Sequence, residues 1–318
     1  METINCNLCG SEDYLFVYSK PDHLYFNGDS FNVVECKKCG LGFVNPRPSS
    51  AEIGHYYPTA YYDYDCVGQQ PRYETEAKYI EDTLTNHHNK LLLDIGCANG
   101  EFPRYMQELG WQVEGVEVST NSRTISDFKV YREEFPSIQL NEPRYDAVTA
   151  WGVLEHVHDP MAYFKKASQV LIPTGVFVFM VPNFASISSR HLFLEDVPRH
   201  LYFFTENTVE KYLWHAGLNL IKADYSDKVL SMSPVNWLHY YVYRYLKRRK
   251  FEWKDIPKNR TQWLAERGWQ PNLESNLRYI LANPLVAIDR ALMPLFEQYQ
   301  MISKKYGSVT YVAAKRKR

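Results

Sequence analysis

KLLLDIGCANG, at residues 90–100, joins an apolar run to a turn of small residues. The leucines and the isoleucine predict a short buried strand, and the small residues after it predict a turn that leads into a helix. A strand, a glycine-rich turn and a helix in this order are typical of an open α/β sheet that binds a nucleotide-like ligand at the carboxyl ends of its strands. Small side chains let the backbone approach such a ligand closely. The acidic and small residues follow the pattern Asp94-x-Gly96-x-Ala98-x-Gly100, which differs from the GxGxxG dinucleotide motif.

Further strands are predicted on the carboxyl-terminal side of this turn. Residues 111–119 predict a strand that contains Glu117 near its end, and a carboxylate there suits the two hydroxyls of a ribose. A third, short strand brings Glu134 and Phe135 to its end, where they either hydrogen-bond and cover an adenine ring or, in the case of Glu134, belong to a charged loop. Residues 146–151 predict a fourth strand, and a fully apolar fifth strand follows. The repeated alternation of strand and helix predicts an α/β fold.

Together these segments resemble class I S-adenosylmethionine-dependent methyltransferases over about residues 90–225. The resemblance implies a seven-stranded, mostly parallel Rossmann-like sheet, with S-adenosylmethionine as the cofactor. It also implies that the Asp94–Gly100 turn borders the methionine part of the cofactor, with Glu117 at the ribose and Glu134 and Phe135 at the adenine. The residues that it places on the methyl-donor side are Trp151 and Gly152.

Four of the six cysteines form two CxxC pairs, and each pair is followed by glycine. Two such pairs predict four thiolates around one zinc ion, and four protein ligands leave no open position for water, so we expect a structural zinc. Residues 10–35 hold five acidic side chains and one lysine, which favours a lobe that stiffens the fold over one that binds nucleic acid. The predicted ligands are Cys6, Cys9, Cys36 and Cys39.

A tyrosine-rich segment, HYYPTAYYDYD at 55–65, follows the predicted ribbon. It is interpreted either as packing between two domains or as a polar-aromatic wall for a substrate. The next helix is expected at 72–86, with its acidic residues facing solvent. Paired CxxCG motifs, then GLGFVNPRPS and tyrosines, resemble bacterial enzymes that methylate sugars, which implies a saccharide or nucleotide-sugar substrate. The substrate-wall candidates are Tyr57, Tyr61, Tyr62 and Tyr202.

Two histidines are candidates for a general base. A sugar hydroxyl has a pKa far above 7, so methyl transfer to it benefits from a positioned base. His200 follows the fifth strand and is the first candidate, although a structural role is left open. His156 lies in VLEHVHDP, which is predicted to begin a helix, and is the second candidate.

The favoured function is O-methylation of a sugar in a bacterial surface-glycan precursor. The alternatives are C-methylation of a keto nucleotide sugar, RNA methylation, and a scaffold that binds the cofactor without catalysis. The net charge of −1 and the acidic ribbon weigh against nucleic acid as a partner. No apolar signal segment is present near the N-terminus, so a cytoplasmic protein with reduced cysteines is expected.

About 80 residues separate the sixth predicted strand from the last one. They predict a helical insertion that serves as a lid or an interface, and the oligomeric state is left open. Residues 236–250 combine aromatic and basic side chains, so contact with a membrane surface and packing on the protein both remain open. The expected organisation is a zinc ribbon at 1–50, a connector at 51–89, the methyltransferase core at 90–226, the insertion at 227–306, and the last strand with a basic tail at 307–318.

Overall fold

The structure is a computed structural model that describes residues 1–22, 28–57, 70–84, 89–119, 127–140, 142–226, 228–230, 236–258, 260–270 and 272–316. The chain divides into two compact units. Unit 1 comprises Met1–Asn183, Asp196–Ser231 and Ser308–Arg318, and unit 2 comprises Phe184–Glu195 and Met232–Gly307. Within the described ranges, every helix is too short or too polar to cross a bilayer.

The strands of the described residues all lie in unit 1. They are β1 Tyr14–Pro21, β2 Ser30–Cys36, β3 Gly42–Val44, β4 Leu91–Ile95, β5 Gln112–Val116, β6 Lys129–Tyr131, β7 Tyr145–Trp151, β8 Leu171–Pro182, β9 Tyr202–Phe203, β10 Leu218–Asp224 and β11 Ser308–Lys315. The helices are α1 Gln70–Glu81, α2 Glu101–Glu108, α3 Pro160–Val170, α4 Ile187–His191, α5 Glu206–His215, α6 Trp237–Tyr241, α7 Arg260–Ala265, α8 Leu273–Ala282, α9 Pro284–Ala291 and α10 Met293–Ile302.

The main sheet has seven strands in the order β10-β11-β8-β7-β4-β5-β6. The five strands from β8 to β6 are parallel, and β11 runs antiparallel between β8 and β10. The central strands β4, β7 and β8 are buried along most of their length, as expected for a parallel sheet covered on both faces. The predicted seven-stranded, mostly parallel fold is therefore confirmed.

A second sheet of unit 1 has four strands in the order β1-β2-β3-β9. Its first three strands come from the cysteine-containing lobe, whereas β9 follows His200 in the chain. The pairing places Gly42 opposite Phe203 and Phe43 opposite Tyr202. The lobe and the loop that carries His200 are thus joined by backbone hydrogen bonds, an arrangement that the sequence analysis does not predict because β9 has only two residues.

The predicted helix at VLEHVHDP is wrong. Residues 153–158 form turns, and α3 begins only at Pro160. Asp159 is the N-cap, and its side chain accepts a hydrogen bond from the backbone N–H of Ala162. Proline is favoured in the first turn of a helix, because the N–H groups there have no acceptor within the helix and a missing one costs nothing. The two histidines of this segment therefore lie on a turn rather than on a helix.

Between β10 and β11, the described residues of unit 2 contain the helices α6 to α10, as the sequence predicts. Trp237 of α6 is buried and stacks on Phe296 of α10, with ring centroids 4.6 Å apart. Asp289 of α9 accepts hydrogen bonds from the backbone N–H groups of Trp237 and Leu238, both at 3.2 Å. Aromatic stacking and this buried carboxylate hold the start of α6 against the two later helices.

Candidate functional site

Asp94 lies near the carboxyl end of β4, opposite Thr149 of β7. Both side chains are buried, and Thr149 Oγ1 donates a hydrogen bond of 2.6 Å to Asp94 Oδ1. Burial raises the pKa of Asp94 to about 8, and the nearby Glu76 carboxylate adds to that rise. A buried carboxyl group of this kind favours a cationic ligand beside it, because a positive charge stabilises its ionised form.

Glu76 of α1 is a second buried acid close to this edge of the sheet. Arg72 Nε donates a hydrogen bond of 2.6 Å to Glu76 Oε1, while Oε2 is buried without a hydrogen-bond partner in the described part of the chain. Burial raises the pKa of Glu76 to about 7. The expectation that the acids of this helix face solvent is therefore wrong for Glu76. The buried Ala77 and Ile80 put position 76 on the inner face, and that spacing could have revealed it.

The turn after β4 has the open backbone that its small residues predict. Gly96 has a φ of 72°, and a Cβ atom there would lie 2.5 Å from Val153 Cγ2. Gly100, with a φ of 82°, precedes α2, and Ala98 adopts a φ of 48°. The Gly96 N–H donates to the carbonyl of Val116 on β5 at 2.8 Å, which anchors the turn to the neighbouring strand. A larger residue at position 96 would push Val153 aside.

Glu117 follows β5 and reaches the same turn. Its Oε2 accepts a hydrogen bond of 3.0 Å from the Ala98 N–H, and its Oε1 accepts one of 2.7 Å from the Ser119 N–H. The side chain is half-buried. Each carboxylate oxygen has a second lone pair, so a fixed, partly accessible carboxylate can also accept hydrogen bonds from two ligand hydroxyls. The structure thus places Glu117, which is predicted to bind the ribose, against the predicted glycine-rich turn.

Glu134 and Phe135 lie beyond β6 in different environments. Glu134 is exposed, and its Oε2 accepts a hydrogen bond from the hydroxyl of Tyr163. Phe135 is fully buried, with its ring centroid 5.8 Å from that of Tyr163. Phe135 therefore packs beneath the site, whereas the carboxylate of Glu134 remains accessible to a ligand.

Trp151 and Gly152 end β7. The indole of Trp151 meets Phe102 edge-on at 5.7 Å, and its Nε1 is buried without a hydrogen-bond partner among the described residues. Gly152 has a φ of 68°, and a Cβ atom there would lie 3.7 Å from Glu155 Oε1. A buried donor without a partner marks a place where a ligand acceptor fits.

His156 and His200 come together just beyond the end of β7. Their ring centroids are 4.7 Å apart with nearly perpendicular planes, and ligand atoms of Glu155, His156 and His200 lie within 4.8 Å of one another. His156 Nδ1 lies 3.0 Å from the carbonyl oxygen of Arg199, which can only accept, so Nδ1 carries the proton of the neutral ring. Burial and the neighbouring His200 lower the pKa of His156 to about 3, so this ring is neutral near pH 7.

The backbone N–H of Asp196 lies 3.4 Å from His200 Nδ1. That distance is long for a hydrogen bond. The His200 ring is half-buried, as is that of His156. A ligand can therefore reach part of each ring.

The four predicted substrate-wall tyrosines have different positions. Tyr57 Oη lies 3.0 Å from His156 Nδ1, at the edge of the histidine pair. Tyr202 is buried in β9, and its hydroxyl accepts a hydrogen bond of 2.8 Å from Arg47 and donates one of 3.1 Å to the carbonyl of His158. Tyr61 and Tyr62 lie outside the described residues. The structure thus brings Tyr57 to the histidines and commits the Tyr202 hydroxyl to protein groups.

Arg199, next to His200, is fully buried in an ion network. Its Nη2 donates to Asp22 Oδ1 at 2.9 Å, its Nε donates to Asp196 Oδ2 at 2.8 Å, and its Nη1 donates to the carbonyl of Tyr56 at 2.8 Å. The sequence does not predict this residue, because Asp22 is 177 positions away and no local pattern connects the two. Arg199 therefore fixes the backbone beside His200 to the N-terminal lobe.

The four predicted metal ligands form one cluster. The sulfur atoms of Cys6 and Cys39 are 3.4 Å apart, those of Cys9 and Cys36 are 3.6 Å apart, and all four lie within 4.8 Å of one another. Four thiolates about 2.3 Å from a zinc ion stand about 3.8 Å from one another. The donor set and its spacing fit a tetrahedral zinc site.

The two cysteine pairs have the same backbone turn. The Gly10 N–H donates to the carbonyl of Cys6 at 2.8 Å, and the Gly40 N–H donates to the carbonyl of Cys36 at 2.9 Å. Both glycines have positive φ, at 70° and 83°, which other residues rarely adopt. The hydrogen bond to Cys6, together with burial, raises the pKa of the Cys39 thiol well above its usual range. A cation bound by the four sulfur atoms would favour the ionised form of this thiol.

Comparisons with known proteins support methyl transfer as the chemistry of this site. Residues 71–223 match the family model of a methyltransferase domain. The ubiquinone biosynthesis O-methyltransferase of Alkalilimnicola ehrlichii is 25% identical over 179 residues, which cover 50% of this chain and 70% of that protein. The enzyme of the same name from Cupriavidus pinatubonensis is 29% identical over 161 residues, which cover 44% of this chain and 65% of that protein.

Among solved structures, an S-adenosylmethionine-dependent methyltransferase from Archaeoglobus fulgidus matches with a TM-score of 0.48 and 16% identity, covering 78% of this chain and 95% of that chain. The family model covers the chain from α1 to β10, with every strand of the main sheet except β11, and includes Asp94, Glu117 and the histidine pair. Residues 71–223, just under half of the chain, are therefore a methyltransferase domain, and these matches support an S-adenosylmethionine-dependent methyltransferase enzyme.

Proposed function

We propose that the chain transfers the methyl group of S-adenosylmethionine to a hydroxyl of a sugar in a bacterial surface-glycan precursor, either a nucleotide sugar or a lipid-linked saccharide. The observation that carries this proposal is the His156–His200 pair beside the end of β7, since transfer to a hydroxyl needs a proton acceptor. The relatives named as O-methyltransferases support transfer to oxygen. The sugar class rests on the resemblance of the ribbon and its tyrosine-rich segment to sugar methyltransferases.

The residues around the glycine turn are proposed to hold the cofactor. The bound cofactor supplies an electrophilic sulfonium methyl group. Asp94 faces its ammonium group, the backbone of Gly96–Gly100 lies against its aminocarboxypropyl chain, and Glu117 accepts hydrogen bonds from its ribose. Glu134 is proposed to bind the adenine from its accessible position. The Nε1 of Trp151 offers a hydrogen bond on the methyl-donor side.

His200 is proposed to accept the proton of the sugar hydroxyl, with His156 as a positioning residue. The His200 ring is half-buried and therefore partly accessible to a substrate, whereas the Arg199 carbonyl holds His156 with its proton on Nδ1. The phenol of Tyr57 beside His156 supplies part of the acceptor wall. In this proposal His200 accepts the proton, His156 orients His200, and Tyr57 contacts the sugar.

We also propose that the Cys6, Cys9, Cys36 and Cys39 cluster holds a structural zinc ion. All four positions around the metal are filled by sulfur, so the ion does not reach the reacting groups. Its role is to fold the lobe whose β3 pairs with β9 beside His200.

The acceptor class can be tested with S-adenosylmethionine labelled in its methyl group. The purified chain is incubated with separate pools of nucleotide sugars, lipid-linked saccharides, quinone precursors and RNA. We expect label only in a saccharide pool, in a methyl ether linkage by NMR. Label on a sugar carbon would instead support C-methylation, and label confined to quinone precursors or RNA would overturn the sugar assignment.

Cofactor binding should release a proton near neutral pH. The Asp94 carboxyl, with a pKa of about 8, is mostly protonated at pH 7, and a cofactor ammonium beside it would lower that pKa. Calorimetric titration with S-adenosylhomocysteine at pH 7 should therefore show heats that depend on the ionisation enthalpy of the buffer, with release of up to about one proton. The free protein binds this proton more tightly than the unfolded chain does, so the associated stability is lost as the pH rises from about 4 to about 8.

The matched variants for this measurement are Asp94→Asn and Glu76→Gln. The first should abolish most of the proton release, whereas the second should reduce it only in part, because burial is the main cause of the raised pKa of Asp94 and Glu76 only adds to it. Equal heats in two buffers for the natural protein at pH 7 would contradict the assignment of Asp94 to the ammonium group.

A further inference from the structure

The charge of the chain is divided unequally between its two units. Unit 2 contains 14 lysines and arginines against seven aspartates and glutamates, a net charge of +7, although the whole chain has a net charge of −1. The remaining residues therefore have a net charge of −8. The near-neutral charge of the whole chain averages a basic unit and an acidic remainder. Unit 2 can therefore attract anionic partners, although the charge of the whole chain predicts no such attraction.

The outer face of α10 is apolar and exposed. Leu295, Tyr299 and Ile302 occupy positions i, i+4 and i+7, which lie on one side of a helix, and their exposed fractions are 63%, 53% and 85%. Beside this face, Phe296 stacks on the buried Trp237, and Gln300 is buried. Three large apolar side chains thus share an exposed face of a helix that packs within the same unit through neighbouring positions.

Aromatic contacts connect this face to a basic segment within unit 2. The ring of Tyr299 lies 6.1 Å from Trp237, Trp237 lies 6.1 Å from Tyr241, and Tyr241 stacks on Tyr245 at 5.8 Å. Tyr245 belongs to residues 244–250, RYLKRRK, which are all exposed and include five basic side chains. The apolar face and the basic segment are therefore linked by ring contacts through the buried Trp237 of the same unit.

Two more features extend this combination. Leu246 in the basic segment is 77% exposed, and the exposed Lys304 and Lys305 follow the end of α10. The sequence leaves membrane contact open for the whole of residues 236–250. In the structure Trp237 and Tyr240 are buried, so only the exposed second half of that segment is available for such contact. We name the outer face of α10 together with residues 244–250 and 304–305 the basic-aromatic surface.

We propose that the basic-aromatic surface binds the interface of an anionic lipid bilayer. Exposed apolar and aromatic side chains flanked by lysine and arginine suit the boundary between anionic headgroups and acyl chains. A second copy of the chain is the less favourable occupant, because a two-fold interface would place two basic surfaces against each other. The attachment is peripheral, through charges and half-inserted side chains.

Vesicle sedimentation tests this inference with the full chain. We expect binding to phosphatidylcholine vesicles that contain phosphatidylglycerol, little binding to phosphatidylcholine alone, and loss of binding as salt increases. The triple variant Lys247→Ser, Arg248→Ser and Lys305→Ser should weaken partitioning by about 100-fold. The double variant Leu295→Ser and Ile302→Ser should weaken it by about tenfold or more, because it removes exposed apolar side chains that insert.

The matched control is Ile221→Ser, which removes a residue that is 57% exposed in unit 1 and should leave vesicle binding unchanged. All variants should keep the thermal midpoint of the natural protein, since the replaced side chains are largely exposed. Failure of the natural protein to sediment with anionic vesicles would overturn the inference. A natural dimer that becomes monomeric in the Leu295→Ser and Ile302→Ser variant, without vesicle binding, would assign the surface to a second copy instead. None of these outcomes depends on the identity of the methyl acceptor.

Discussion

Replacing His200 with alanine should lower the rate of methyl transfer by about 10²- to 10⁴-fold, the usual contribution of a positioned general base. The affinity for S-adenosylhomocysteine should stay within about threefold of the natural value. His200 lies beyond β8 and beside His156, whereas Asp94, the glycine turn and Glu117, which are proposed to hold most of the cofactor, follow β4 and β5. The measurement is single-turnover transfer to the saccharide pool, with cofactor affinity from calorimetry. A variant that binds the cofactor normally and does not react has lost an interaction made in the transition state.

Two comparison variants make this result specific. His215→Ala removes an exposed histidine at the end of α5 and should change neither quantity. His156→Asn keeps a side-chain donor for the Arg199 carbonyl, so we expect a smaller rate loss than for His200→Ala. Unchanged turnover in His200→Ala would exclude His200 as the base. A larger loss in His156→Asn than in His200→Ala would transfer that role to His156.

The sequence predicts the main sheet well because its signals are local. The run from Leu91 to Ile95 and the small residues after it specify a buried strand and an open turn within eleven positions, and the structure has both. Glu117 is equally predictable, since the end of the next parallel strand must lie at the same edge of the sheet. Each of these predictions needs only periodicity and the rule that ligands bind at the carboxyl edge.

The missed features depend on contacts between distant parts of the chain. Arg199 is bound by Asp22, and β9 pairs with β3, yet neither partner lies within a hundred and fifty residues of the other. A two-residue strand has no periodicity to detect. Glu76 was assigned to solvent because acids usually are exposed, although its helical position is on the buried side. The net charge of the whole chain also fails to predict the basic unit, because it averages a basic and an acidic unit.

Replacing Cys36 with serine should remove the bound zinc and abolish methyl transfer through the loss of structure beside His200. Structural zinc sites contribute about 10–16 kcal/mol of apparent binding free energy, which is also folding free energy of the lobe. Without the fourth thiolate, β2 and β3 lose their anchor, and β9 loses the strand with which it pairs. We expect a lower thermal midpoint, by at least about 5 °C, and a rate loss of about 100-fold or more.

Cofactor binding distinguishes this route from general unfolding. The cofactor edge belongs to the seven-stranded sheet, whose β4 and β5 make no pair with the lobe in the described residues, so the affinity of Cys36→Ser for S-adenosylhomocysteine should remain within about threefold. Cys66→Ser is the matched control, because it removes a thiol outside the two CxxC pairs and should retain about one zinc per chain. A natural protein without zinc by metal analysis would defeat the metal assignment. The β3–β9 pairing requires a folded β3. If a zinc-free Cys36→Ser protein kept full activity, the folded lobe would therefore not be needed to position His200.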